Sequence, residues 1–248
     1  MSGSVWTQTL VSVGLVSAIP LTGLVLARAR ADRLRRVVPL LVAFAVGALL
    51  GGAFLHLVPE AIARLGAGPG LSFLLLAGFL GFFVLEKFLW GHQHEPHGRR
   101  VAPLATLNLI GDGLHNIIDG AVIAAAYSAD PKVGMAATLA VFLHEVPQEL
   151  GDFGVLVYGG LPVRRAVWFN FLSGLAAMLG AAATLAVGGM AGRVTDALLP
   201  VAAGSFLYIA ASDLIPELRR ERHPAASVRQ LGLVLSGIAV MAAPMLMR

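Results

Sequence analysis

The sequence predicts an all-α polytopic membrane protein with eight transmembrane helices in a single domain over residues 1–248. Its residues are 57% hydrophobic and 13% charged, and the mean hydropathy is +0.81. So few charged residues cannot cover the surface of a water-soluble globule of this size. Apolar runs near the ~20 residues that a helix needs to cross a ~30 Å hydrocarbon core recur along the whole chain.

The apolar runs define the expected transmembrane helices, which we number as spans one to eight. In chain order they are about Thr9 to Ala27, Val37 to Pro59, Leu71 to Leu89, Val101 to Tyr127, Val133 to Val157, Val167 to Val187, Ala197 to Pro216 and Val228 to Met247. The first run is too long for a cleaved signal peptide and lacks a basic leader, so we expect a true first span. Only spans four and five are rich in ionisable residues.

Basic residues in the connections predict the orientation. Most of them lie between spans one and two, after span three, after span five, and between spans seven and eight, which are all on one side of the membrane. The other side has only Arg64, Lys132, Arg193 and Arg248. The positive-inside rule therefore predicts that both termini lie outside the cytoplasm. The net charge of +4 then indicates contact with the inner leaflet of the lipid bilayer rather than nucleic-acid binding.

Spans two and seven contain a short repeat. The segments HLVPE, at residues 56–60, and DLIPE, at residues 213–217, each fall near the C-terminal end of a predicted helix. The predicted topology places them at opposite faces, as an inverted repeat would. Spans one to three would then mirror spans six to eight around spans four and five. A Pro-Glu pair that simply ends a helix is the structural alternative.

The longest polar stretch is WGHQHEPHGRR, at residues 90–100, which we expect to be a cytoplasmic loop. Its His92, His94 and His97 could bind a metal at the inner mouth. A solvated loop with incidental histidines explains the same sequence equally well.

Spans four and five carry polar side chains at helical spacing. In span four, Asp112, His115 and Asp119 are three and four residues apart, which places them on one face with Asn116 beside it. Span five has two adjacent stripes, one of His144, Gln148 and Asp152 and one of Glu145 and Glu149.

These groups require compensation inside a membrane. An isolated charge at mid-membrane costs between about 3 and well over 10 kcal/mol, so the two spans need a cation, protons or water. The chain has no cysteine, and imidazole with carboxylate and amide oxygens suits Zn²⁺ while tolerating Fe²⁺ or Mn²⁺. Single polar residues such as Asn108, Ser173 and Thr184 are expected instead to hydrogen-bond a neighbouring helix.

The segment HEVPQ, at residues 144–148, also resembles the HExxH motif of zinc proteases. Such a site needs two histidines one turn apart on an uninterrupted helix, with the glutamate free as general base. Here Gln148 takes the second histidine position, and Pro147 removes a backbone hydrogen bond. An intramembrane zinc metallohydrolase is therefore the alternative function, and we expect no enzyme.

HNIIDG in span four, followed by HEVPQELGDFGVLV in span five, resembles the ZIP family of divalent metal transporters. The similarity is to the branch with HNxxDG and HExPHELGDF, and it extends to FLHLVPEA in span two and GSFLYIAASDLIPEL in span seven. This resemblance implies uptake of Zn²⁺, sometimes Fe²⁺, Mn²⁺ or Cd²⁺, as a transported substrate rather than a cofactor, and a homodimer of eight-helix subunits. The metal-binding set that it implies is His115, Asn116, Asp119, His144, Glu145 and Gln148.

The chain departs from this branch at Gln148, where the branch has His. An amide gives a more oxygen-rich shell, which would weaken Zn²⁺ binding or broaden the choice toward harder ions. In the same family, a Glu in place of His144 goes with broader Mn²⁺ and Fe²⁺ transport, and this chain keeps the His. We therefore expect Zn²⁺ as the main substrate.

Depth along the helices suggests a route for the ion. We expect capture near His56 and Glu60, binding between spans four and five, and release at the inner mouth. The residues expected along the release path are Asp112, Glu149, Asp152, Asp213 and Glu217. Glu149 has an alternative role, in which it faces another helix or exchanges protons. The compact loops and a composition rich in Ala, Arg and Gly suggest the inner membrane of a prokaryote.

Overall fold

The computed structural model describes residues 3–24, 31–91, 103–187 and 189–243. Within these residues the backbone forms eight helical rods, one for each predicted span, and no strand. They are α1 (Gly3–Val16, with a 3-10 turn Ile19–Thr22), α2 (Ala31–Gly51, a π turn Gly52–Leu57, then Val58–Leu65), α3 (Pro69–Gly91), α4 (Pro103–Ala129), α5 (Pro131–Tyr158), α6 (Val163–Gly174 and Ala176–Val187), α7 (Gly189–Tyr208, a π turn Ile209–Leu214, then Ile215–Leu218) and α8 (Pro224–Ala242).

Proline marks the start of four of these helices. Pro69, Pro103, Pro131 and Pro224 each occupy the first helical position, where the missing N–H costs no helical hydrogen bond. At α5 the side chain of Asp130 adds an N-cap by accepting a hydrogen bond from the Lys132 backbone N–H at 2.7 Å.

Several helix ends differ from the sequence prediction, including the start of α7 at Gly189 rather than near Ala197 and the start of α2 at Ala31 rather than near Val37. Helix α1 begins at Gly3 rather than near Thr9, and α2 continues to Leu65, past the predicted end at Pro59. Pro59 lacks a backbone N–H, and the wide π turn just before it accommodates the missing hydrogen bond. The proline therefore does not end the helix. The HLVPE segment therefore lies within a helix and not at its end.

Seven of the eight described rods are long and apolar enough to cross a membrane, and α5 is the exception because of its polar groups. Helix α5 packs against α1, α2, α4 and α6, so its polar face is buried inside the bundle. In contrast, α3 and α8 expose large apolar side chains such as Phe73, Phe88 and Leu231 outward. An apolar exterior around a polar centre is typical of a multi-pass membrane protein.

Glycines bring two pairs of helices into close contact. A Cβ at Gly204 of α7 would lie 2.1 Å from the Leu75 carbonyl oxygen of α3, and one at Gly47 of α2 would lie 2.0 Å from the Val234 carbonyl oxygen of α8. Small residues allow this approach of backbones. Gly47 lies nine residues before His56, the first residue of HLVPE, and Gly204 lies nine residues before Asp213, the first residue of DLIPE.

The π turns are a second feature shared by α2 and α7. Each has six residues and is followed directly by Val-Pro-Glu or Ile-Pro-Glu, and His56 and Asp213 occupy the fifth position of their turns. Matching turns and the exchanged pairs α2/α8 and α7/α3 are what the predicted inverted repeat requires. The repeat itself stays a prediction.

Candidate metal centre

Helices α4 and α5 bring four predicted ligands together at the centre of the bundle. We call His115, Asp119, His144 and Glu145 the upper group; their nearest ligand atoms all lie within 4.8 Å of one another. Asp119 Oδ2 lies 2.9 Å from His144 Nε2 and 3.6 Å from His115 Nε2. Glu145 Oε1 lies 3.3 Å from His115 Nε2 and 3.8 Å from His144 Nε2. Helical spacing explains this arrangement, because His115 and Asp119 are one turn apart on α4.

These four distances match the size of a tetrahedral metal site. Ligands about 2.0–2.2 Å from a tetrahedral Zn²⁺ are about 3.3–3.6 Å from one another. Two of the nitrogen–oxygen distances, 3.3 and 3.6 Å, fall within that range, and a third, 3.8 Å, is slightly longer. The fourth, 2.9 Å between His144 Nε2 and Asp119 Oδ2, is a hydrogen bond that would lengthen as both atoms turn to an ion. A divalent ion would therefore fit among the four atoms with small side-chain adjustments.

The upper group leaves several polar atoms without a hydrogen-bond partner. The His115–Glu145 approach lacks hydrogen-bond geometry, so both ring nitrogens of His115 and Oε1 of Glu145 are unpartnered, although these side chains are almost fully buried. Such atoms are rare in folded proteins because burying them without a partner is costly. His144 differs, since its Nδ1 contacts the Ala140 carbonyl oxygen at 3.0 Å. This contact fixes the ring so that Nε2 points into the group.

The two predicted amide ligands, Asn116 and Gln148, both lie next to Asp112. The Asn116 amide donates to the Asp112 carboxylate at 2.9 Å and to its backbone carbonyl at 3.1 Å. Gln148 is buried and faces Asp112, and neither of its amide atoms has a hydrogen-bond partner. Their role as metal ligands stays a prediction.

One helical turn further along, three more carboxylates meet. We call Asp112, Glu149 and Asp152 the lower group; each is buried, and their nearest oxygens lie within 4.8 Å of one another. The sequence predicted these residues along the release path but did not predict that they would converge. Asn108, expected to bond a neighbouring helix, donates from α4 to the Asp152 carboxylate on α5 at 3.0 Å.

Asn170 of α6 is a site residue that the sequence analysis missed. Its amide donates to the Glu149 carboxylate and, at 3.2 Å, to the Glu149 backbone carbonyl. Glu149 thus faces another helix, which was one of the alternatives for it. A lone asparagine in the apolar span six was the available signal.

A cavity of about 150 Å³ leads from the upper group toward the face that the predicted topology places outside. His56 and Glu60 line it together with His115, Asp119 and His144. The His56 ring lies 5.2 Å from the His144 ring, and its Nε2 contacts the Met241 carbonyl oxygen at 2.6 Å. One cavity therefore connects both residues predicted for ion capture, His56 and Glu60, with the upper group.

Arg64 lies beside Glu60, one of the residues that line this cavity. It forms ion pairs with Glu60 at 2.7 Å and with Asp196 of α7 at 3.0 Å. Glu60 is therefore already paired in this conformation.

The remaining pathway residues, Asp213 and Glu217, lie apart from both groups. Asp213 is beside Glu86 of α3, whose carboxylate accepts a hydrogen bond from Tyr208. Glu217 pairs with Arg220 at 2.9 Å and lines a second cavity of about 290 Å³ with Tyr158. The predicted metal-binding loop of His92, His94 and His97 lies outside the described residues.

Comparison with known proteins gives consistent matches. The ZIP Zinc transporter family model matches residues 4–98 and 91–245. Zinc transporter ZIP13 of Pongo abelii is 35% identical over 215 residues, which cover 81% of this chain and 65% of that protein. Zinc transporter ZIP13 of Mus musculus is 31% identical over 271 residues, covering 92% of this chain and 74% of that protein. Zinc transporter SLC39A7 of Mus musculus is 29% identical over 329 residues, and the match covers 96% of this chain and 69% of that protein. This chain thus spans roughly two thirds of its relatives' length.

Proposed function

This chain belongs to the ZIP zinc transporter family, and we propose from that membership that it moves Zn²⁺ across the membrane into the cytoplasm through the upper group. In this mechanism His115, Asp119, His144 and Glu145 replace the water shell of the ion at the centre of the bundle. Asn116 and Gln148 would add amide oxygens on the cytoplasmic side. Zn²⁺ is the transported substrate, and it binds to the site transiently during transport.

The observation that carries the proposal is the set of four nitrogen–oxygen distances in the upper group. They fall around the edge length of a tetrahedral zinc site, and they join side chains that are almost fully buried. Two imidazoles and two carboxylates favour Zn²⁺ over harder ions. The amide at Gln148, in place of a third imidazole, supports some transport of Fe²⁺, Mn²⁺ or Cd²⁺ as well.

The alternative of an intramembrane zinc hydrolase is not supported. The family and the named relatives are transporters, not enzymes. In the site, Glu145 faces His115 as part of the ligand cluster, whereas a protease would need it free as general base. Gln148 replaces the second histidine that the protease motif requires. The helix break expected at Pro147 is absent, since α5 is continuous from Pro131 to Tyr158.

The proposed route has three stages. The ion enters the cavity lined by His56 and Glu60, which is continuous with the upper group. It then passes the lower group and leaves near Asp213 and Glu217, which lie at the end of α7 that the predicted topology places inside. Placement in an inner membrane, both termini outside the cytoplasm and a homodimer complete the proposal, and they rest on the positive-inside rule and the family resemblance.

Zn²⁺ flux into liposomes tests this function. Purified protein is reconstituted into liposomes that contain a zinc-sensitive dye, and the initial rate is measured for the wild type, His115→Ala and Glu145→Ala. Each substitution removes a ligand of the upper group, so we expect flux to fall to the rate of empty liposomes while circular dichroism shows an intact helical fold.

The matched controls are His223→Ala and Glu221→Ala, which make the same changes in the exposed connection between α7 and α8. They should keep the wild-type rate. Wild-type flux in the His115→Ala and Glu145→Ala proteins would contradict the site. Zn²⁺ binding without any flux in the wild type would indicate a metal-sensing scaffold instead.

A further inference from the structure

We propose that Tyr158 and Glu217 form a latch that holds the inner side of the transporter closed. Tyr158 is the last residue of α5, and Glu217 lies in the final segment of α7, at ends that the predicted topology places inside. Both line one cavity of about 290 Å³, where the Tyr158 hydroxyl faces the Glu217 carboxylate as a hydrogen-bond donor. The inference rests on the proposed function, because it concerns how the ion is released to the cytoplasm.

Helix packing divides the bundle into two halves. We call α1, α4, α5 and α6 the site half, because α4 packs against the other three and carries the upper group together with α5. We call α2, α3, α7 and α8 the frame half, in which α2 packs against α8 and α7, and α3 packs against α7. Tyr158 belongs to the site half and Glu217 to the frame half. Their contact therefore crosses the boundary between the halves.

This boundary is open on its outer side. A cavity of about 150 Å³ runs between the halves, with His56 and Glu60 of the frame half on one wall and Asp119 and His144 of the site half on the other. The cavity reaches the upper group directly. An ion from outside can therefore enter the upper group in this conformation.

The same boundary is closed on its inner side, where α5 lies against α2. A Cβ at Gly151 would lie 2.9 Å from the Ala45 Cβ, and one at Gly154 would lie 2.4 Å from the Leu41 Cβ. Small residues permit such close packing of membrane helices. Asp152, on the same turn of α5, is only 2% exposed. This contact between α5 and α2 must open before the ion is released, and because the glycines insert no side chain into α2, it can open without a change of rotamer.

The latch residues lie just beyond this contact, at the inner surface. Tyr158 is one helical turn after Gly154 on α5. Glu217 pairs with Arg220 at 2.9 Å, which fixes its carboxylate beside the Tyr158 hydroxyl. Tyr158 is 37% exposed, so water can replace its partner when the contact breaks. A hydrogen bond that exchanges with water has a modest net strength, which suits a gate that opens in every transport cycle.

Double electron–electron resonance measures whether the inner side is open. The chain has no cysteine, so Arg165→Cys in the site half and His223→Cys in the frame half provide the two positions for nitroxide labels. Both residues are exposed near the inner surface and lie outside the latch. The purified full chain is placed in lipid nanodiscs without Zn²⁺, and the distance distribution gives the ratio of inward-open to inward-closed molecules. With the latch intact, we expect mainly one distance, that of the closed state.

Tyr158→Phe removes the hydroxyl and keeps the ring. A second, longer distance should then gain population, and the ratio of open to closed molecules should rise about threefold to tenfold, the factor that one net hydrogen bond contributes. Glu217→Ala should raise the ratio by at least as much. The Tyr158→Phe/Glu217→Ala protein should show no further rise over Glu217→Ala, because both changes break the same contact.

The matched control is Tyr127→Phe. It makes the same chemical change at a hydroxyl that lies 2.8 Å from the Ser12 hydroxyl, inside the site half, and it should leave the ratio unchanged. The inference is overturned if Tyr158→Phe gives the same distances as Tyr127→Phe, or if the effects of Tyr158→Phe and Glu217→Ala add. A rise that also follows Tyr127→Phe would show general loosening of the bundle and would overturn it as well.

The proposed function is tested separately from the latch. Zn²⁺ flux that depends on His115 does not require any change in the measured distances. Intact flux with unchanged distances in Tyr158→Phe would therefore remove only the latch, whereas flux that persists in His115→Ala would remove only the proposed site.

Discussion

The Asp119→Asn substitution changes the charge of the upper group and keeps its shape. Asp119 Oδ2 is the oxygen between the two imidazoles, 2.9 Å from His144 Nε2 and 3.6 Å from His115 Nε2. Asparagine has nearly the same size and keeps one oxygen that could ligate Zn²⁺, but it removes one negative charge. Helix packing should not change, because Asp119 is buried in the cluster and Asn fills the same volume.

The expected loss of affinity follows from Coulomb's law. Two unit charges 4 Å apart attract by about 4 kcal/mol at an effective dielectric constant of 20. A divalent ion in direct contact gains more than this, while the empty site is relieved of one buried charge, so we take about 4 kcal/mol as the net loss. Since each ~1.4 kcal/mol is a factor of ten, Zn²⁺ should bind about 10³-fold more weakly.

A competition titration against a zinc chelator in detergent measures this affinity. The control is Asp130→Asn, at an exposed N-cap of α5 where asparagine also caps well. It should change Zn²⁺ affinity by less than about threefold, which is near the error of such comparisons. An Asp119→Asn protein that binds Zn²⁺ as tightly as this control would refute the electrostatic reasoning and remove Asp119 from the ligand set.

Three further predictions concern other parts of the molecule. Gln148→His restores an imidazole beside the upper group, so the half-inhibitory Mn²⁺ concentration against Zn²⁺ flux should rise; an unchanged competition profile would show that Gln148 does not contact the ion. Gly204→Val places a Cβ 2.1 Å from a carbonyl oxygen of α3, so it should destabilise the protein by at least ~3 kcal/mol. The melting temperature in detergent measures this loss. The control Gly232→Val, whose Cβ has nothing within 4 Å, should leave the melting temperature unchanged. Arg64→Gln leaves Glu60 unpaired at the cavity, so half-saturation of flux should occur at a lower Zn²⁺ concentration in low salt. This difference from the wild type should largely disappear near 1 M salt, where the Debye length is about 3 Å. A difference that is independent of salt would exclude this explanation.

The sequence predicted the number of helices and the upper group because both follow from short-range regularities. Apolar runs of the required length gave the spans, and spacing of three and four residues placed His115 beside Asp119 on one face. The resemblance of the HNIIDG and HEVPQELGDF motifs to the ZIP family then implied that α4 and α5 share one site. These signals are local, so a single sequence carries them.

The lower group could not be predicted in the same way. Helical spacing shows which residues share a face, but it does not show which face of another helix they meet. Asp112 of α4 meets Glu149 and Asp152 because α4 and α5 pack along their length, and Asn170 joins from α6. The π turns also escaped prediction, since a single extra residue in a helix leaves no mark in an apolar sequence.

The π turn in α2 gives this helix one place where its length can change without turning the residues beyond it. A π turn is a wide helical turn that holds one surplus residue between regular α-helical segments, here before Val58–Leu65. Deleting one residue between Gly52 and His56 would therefore leave a regular helix in which Glu60 and Arg64 keep their direction. Deleting one residue between Glu60 and Arg64, where the helix is regular, would instead turn Arg64 by about 100° relative to Glu60.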